Sequence, residues 1–127
     1  MHRVFKTRHF ARWARKAGLP DATLCAAVQE MAAGLVDADL GGGVVKKRVP
    51  LPGRGKRGST RTLVATNRAD RWFFLYGYEK NEQENIGPED LRTVQGLAAD
   101  YLALDDNGLR LVLNINEILE ICHDQDP

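Results

Sequence analysis

The chain has 127 residues, 43% of them hydrophobic and 28% charged. That is ordinary globular composition with room for one domain and one core, and it argues against a disordered polymer, a two-domain enzyme or a membrane protein, since the uncharged apolar runs, such as residues 72–78, fall far short of the roughly 18 residues that a spanning helix needs. The formal charge of +1 hides a division: residues 1–69 carry fourteen Lys and Arg against four acids, a net of +10, whereas residues 70–127 carry four against thirteen, a net of −9. Such asymmetry points to a polyanion on one side, unless folding interleaves the two halves and cancels the field.

In chain order, residues 3–6 read as a short strand. Residues 7–17 then place Phe10, Trp13, Ala14 and Ala17 at i, i+3, i+4 and i+7, the stripe of an amphipathic helix, with Gly18 as its stop. A second helix starts near Pro20, buries Leu24, Val28, Met31 and Leu35, and fades before Gly41, Gly42 and Gly43; the two helices read as an antiparallel pair. The period then changes. Residues 44–49, 61–66 and 71–78 are rich in Val, Thr, Leu and aromatics between turn residues, as antiparallel strands are, with a hairpin turn at 67–70. Alternation along 71–78 puts Trp72, Phe74, Tyr76 and Tyr78 on one face and Phe73 and Leu75 on the other, so this strand should be central, its rings serving the core. Gly87, Pro88, Glu89 and Asp90 open a third helix with the stripe Leu91, Val94, Leu97, Ala98, Tyr101 and Leu102. A short helix over 105–114 and a strand over 118–122 complete an α+β reading, with helices laid on an antiparallel sheet.

The N-terminus is basic but lacks the apolar run of about 7 to 15 residues of a secretory signal. Cys25 and Cys122 lie far apart in apolar contexts without ligand spacing, so a zinc site is not expected; read as free thiols, they fit a reducing, cytoplasmic compartment. His2, His9 and His123 form no ligand-spaced pair, and no nucleophile motif surrounds Ser59, Cys25 or Cys122. Glu79, Glu82 and Glu84 read as solvated charges in a turn. No metal or other cofactor is expected.

The unusual stretch is residues 46–61, which holds Lys46, Lys47, Arg48, Arg54, Lys56, Arg57 and Arg61, and no acid occurs anywhere between Leu40 and Ala69. These cations repel one another unless an anion neutralises them. Gly53, Gly55 and Gly58 interleave with Arg54, Lys56 and Arg57 in a loop that lacks the P-loop spacing and is followed by a strand, which disfavours nucleotide hydrolysis. Glycines let backbone amides and cations approach a phosphate closely, so a nucleic-acid backbone fits the loop better; the plain alternative is a solvated hairpin.

The segment LPGRGKRGSTR (51–61), followed by WFFLYGYEKNEQENI (72–86), resembles the RelE-like toxins of bacterial type II toxin-antitoxin modules, especially their HigB-like branch. The likeness runs over about residues 3–104, and residues 105–127 read as a C-terminal extension of the same domain. It implies a small RelE-like α+β fold, with two N-terminal helices and a C-terminal helix on an antiparallel sheet. It further implies a ribonuclease that cuts mRNA in the ribosomal A site without metal, the RNA's own 2′-hydroxyl attacking the adjacent phosphorus. On that likeness Lys56 orients or activates the 2′-hydroxyl, Arg61 grips the phosphate, and Lys80 protonates the leaving oxygen or steadies the developing charge. Lys46, Lys47, Arg48, Arg54 and Arg57 would hold RNA. Gly58, Ser59 and Thr60 stand where many relatives carry consecutive glycines. The likeness also implies a neighbouring antitoxin, often with a helix-turn-helix, against helix 87–104 or the N-terminal helices. Two alternatives stay open: a non-cleaving binder on the same scaffold, such as a gyrase inhibitor, and for Arg61 a strand-end salt bridge to Glu79 or Glu82.

Overall fold

A computed structural model describes residues 2–53 and 59–123. The elements are β1 (Arg3–Thr7), α1 (Arg8–Ala17), α2 (Asp21–Ala32), β2 (Ala38–Gly41), β3 (Val44–Pro50), β4 (Ser59–Thr66), β5 (Arg71–Glu79), α3 (Pro88–Leu102), α4 (Asp106–Asn114) and β6 (Ile118–Ile121). Local chemistry sets their ends. Thr7 closes β1 and caps α1, its hydroxyl accepting from the Phe10 N–H at 3.1 Å, and Gly18 ends α1 at φ +78°, where a residue without Cβ is unstrained. Pro88 and the acidic first turn open α3, and the Asp105 carboxylate caps α4 by accepting from the Gly108 N–H.

One six-stranded sheet runs in the order β2-β3-β4-β5-β1-β6. Its pairings are antiparallel except β1 with β5, which run parallel, so the antiparallel reading holds with one exception. The exception follows from connectivity: β1 enters the sheet beside β5, the last strand of the β2–β5 meander, and β6 returns to β1's far side through α3 and α4. β2 is a strand where the sequence read the fading end of a helix, because its four residues, ADLG, include no β-branched side chain.

Helices cover both faces. On one, Phe10, Ala14, Leu24, Val28 and Met31 of α1 and α2 pack with Val45, Val49, Val64, Trp72 and Phe74. On the other, Val94, Ala98, Tyr101 and Leu109 of α3 and α4 pack with Phe5, Val44, Leu63, Phe73 and Leu75.

Further expectations need correction. Leu35, read as part of the buried face of the second helix, lies beyond α2 and is 60% exposed. Cys25 of α2 and Cys122, just beyond β6, are not free thiols but form a disulfide with Cα atoms 5.6 Å apart. Their separation of 97 residues hid a proximity that arises only because α2 packs on the sheet face to which Ile121, at the end of the edge strand β6, and Cys122 turn. The aromatic face of β5 is also split. A β-bulge lets Leu63 pair with Tyr76 while the next residue, Val64, pairs with Phe74, so Leu75 is extra and the alternation reverses beyond it. Trp72 and Phe74 face α1 and α2, whereas Tyr76 packs with the α3 cluster, and Gly77 turns to Trp13 of α1.

Candidate functional site

Register across the three central strands builds the site. Arg48 of β3 opposes Arg61 of β4, which in turn opposes Tyr78 of β5; one step along, Lys46, Leu63 and Tyr76 form a parallel row on the same face. Towards its Gly43 end, this face is covered by α3: Leu102 lies against Gly43, and the Gln95 amide donates to the Leu40 carbonyl oxygen at 3.0 Å. The other half carries the cations, and a polar cavity of about 240 Å³ opens there, lined by Asp37, Lys46, Arg48, Arg61, Glu84 and Asn85.

Like charges directly opposed across a ladder destabilise it. Arg48 and Arg61 are so opposed, and among the described residues no carboxylate lies within ion-pair distance of Lys46, Arg48 or Arg61. Asp37 sits in the cavity wall, but its carboxylate accepts from the backbone N–H of Arg48. Arg61 Nη1 donates to the uncharged Ser59 Oγ at 3.2 Å, at the long end of the hydrogen-bond range, and Glu82 is engaged by the backbone N–H of Glu79 at 2.9 Å. The guanidinium of Arg61 therefore keeps most of its donors for an anion.

The structure separates the other sequence candidates. Lys47 is one residue out of phase with its neighbours and points to the opposite face, where its ammonium pairs with Glu30 at 2.8 Å and donates to the Leu35 carbonyl oxygen at 2.9 Å. It pins α2 to β3 and is not brought together with Lys46 and Arg48. Lys80 is exposed and follows the Thr60–Glu79 pair, at the same end of the sheet as Ser59 and Arg61. Arg54, Lys56 and Arg57 lie outside the described residues.

Sequence reasoning missed Tyr78 as a neighbour of the cations, as well as Asp37, Glu84 and Asn85. The phenol of Tyr78 is pushed up by burial and partly drawn back by the Arg61 charge, so the two side chains are electrostatically in touch. Only the strand register could have revealed this, and the bulge conceals it. Among the described residues no group of three or more His, Cys, Asp or Glu is placed to hold a metal ion, and no helix is long and apolar enough to cross a membrane.

A family model described as the RelE toxin of the RelE / RelB toxin-antitoxin system matches residues 2–121, a span that includes α4 and β6. No curated protein matches.

Proposed function

Because this chain belongs to the RelE toxin family of toxin-antitoxin systems, we propose that it is a HigB-like endoribonuclease that cuts translated mRNA at the ribosomal A site and so inhibits translation. The reading rests on one observation above others: Arg48 and Arg61 face each other across β3 and β4 beside Lys46, with no carboxylate partner among the described residues. A phosphodiester relieves that repulsion.

In the proposed reaction a bond forms from the 2′-oxygen to phosphorus as the bond from phosphorus to the 5′-oxygen breaks, leaving a cyclic phosphate and a 5′-hydroxyl. The protein has to align the attack, stabilise charge on the phosphorane and move two protons. Lys56 orients the 2′-hydroxyl and draws off its proton. Arg61 binds the non-bridging oxygens through its planar fork, which a lysine does not reproduce. Lys80 donates to the departing oxygen, while Lys46, Arg48, Arg54 and Arg57 hold the flanking backbone. Lys47, paired with Glu30, takes no part. No metal enters the scheme.

Work at the A site puts the protein in the cytoplasm, and its family gives it an antitoxin partner, which we expect to be a helix-turn-helix protein encoded next door. The test is to supply purified protein to translating ribosomes and map new 5′ ends. Codon-phased cuts are expected with the native chain and a loss of about a hundredfold or more in Arg61→Ala and Lys56→Ala, the scale seen when one group stabilising a transition state is removed. Intact messages under the native chain would end the proposal.

A further inference from the structure

Resting on the reading that the Arg48–Arg61 row binds an RNA phosphate, we infer that Tyr78 supplies a neutral hydrogen-bond donor to that phosphate, its hydroxyl reaching a non-bridging oxygen held by Arg61. Tyr78 is 2% exposed, and its hydroxyl is the one buried side-chain polar atom among the described residues that has no hydrogen-bond partner. Leaving a buried hydroxyl unsatisfied is costly, and native proteins keep few such groups without a reason. A phenylalanine would fill the same space without the penalty.

The location supplies the reason. Tyr78 of β5 directly opposes Arg61 in the β4–β5 ladder, on the sheet face where Arg48 and Arg61 line the polar cavity, and the Arg61 charge reaches its phenol. Among the described residues the one side-chain bond from Arg61 goes to Ser59, at 3.2 Å to an uncharged oxygen, and can be exchanged for a phosphate. Burial holds the phenol above its ordinary range, so it stays protonated and can donate wherever RNA is handled. The aromatic ring of Tyr76, 6.1 Å away, supports the Tyr78 ring from the neighbouring row without offering its hydroxyl a partner.

The experiment compares Tyr78→Phe with the native full-length chain in two measurements. The first is affinity, across a salt series, for a short fully 2′-O-methylated oligoribonucleotide, which cannot be cut; the second is thermal stability. We expect roughly tenfold weaker binding, the scale of one hydrogen bond to a charged group, with the salt slope unchanged because no cation is lost. We also expect a melting temperature a few degrees higher, because the orphan hydroxyl is gone. Arg61→Ala should instead flatten the slope by about 0.7. Unchanged binding in Tyr78→Phe, or a fall in melting temperature that accounts for weaker binding, overturns the inference while leaving the ribonuclease proposal standing. If the native chain binds the oligonucleotide but cuts no message, the ribonuclease proposal fails and the Tyr78 inference survives. No binding by the native chain overturns the Tyr78 inference, and mapping of cuts on translating ribosomes then decides the ribonuclease proposal by itself.

Discussion

Gly77 stands where no side chain fits. A Cβ there would lie 2.2 Å from Cζ3 of Trp13, since the bulge in β5 turns this position towards α1 and the indole lies flush on the backbone. Gly77→Ala must displace Trp13, which also meets the Phe10 ring at 5.4 Å, so we expect a loss of about 1–3 kcal/mol of stability, read as a lower urea midpoint. An unchanged midpoint would mean that α1 does not sit on β5 in this way. Tyr101 gives a second expectation. Its hydroxyl donates to Glu117 at 2.8 Å, and burial first, then that bond and the Glu117 charge, push the phenol far above its ordinary value of 10.0. In the folded chain the proton is therefore kept at a pH where the unfolded chain has lost it, so the stability from this group is whole below pH 10 and declines as pH rises beyond it. Denaturation across that alkaline range should show the decline, and Tyr101→Phe should make it shallower.

At the scale of elements, sequence periodicity served well wherever one face met the core and the pattern ran unbroken. The stripe Phe10, Trp13, Ala14 marked α1, and Pro88 with two acids marked the start of α3. It failed where tertiary pairing overrode the local pattern. β2 forms because β3 offers it a ladder from Ala38 to Gly41, not because its residues prefer extended backbone. The bulge at Leu75 leaves no mark in the string WFFLYGY, yet it decides which of the aromatics stand with α1 and which with Arg61. The candidate site was legible as a type and not as a geometry. A basic, acid-free run was visible, but its alternation along β3 sends Lys46 and Arg48 to one face and Lys47 to the other, under α2. Counting charges could not make that division; pairing each strand with its neighbour does.

For the whole molecule, the Cys25–Cys122 link ties α2 to the end of the chain across 97 residues, on the side of the sheet away from Arg48 and Arg61. Closing so long a loop restricts the unfolded chain, a constraint typically worth about 2–4 kcal/mol. Disulfides are rare in a reducing cytoplasm, so the proposed action on ribosomes requires that the chain also work with both thiols free. The geometry allows this, because the linked cysteines pack with α2, Val4 and Ile121 and neither lines the polar cavity. Reduction should therefore cost stability without disturbing the phosphate row. We expect the melting temperature to drop by roughly 10 °C on adding a phosphine reductant, and by a similar amount in Cys122→Ser, which then no longer responds to the reductant. Affinity for the 2′-O-methylated oligonucleotide, measured well below either melting temperature, should stay within about twofold. A large loss of affinity on reduction would mean that the two faces of the sheet are coupled. No shift in melting temperature would mean that the link contributes nothing to the fold.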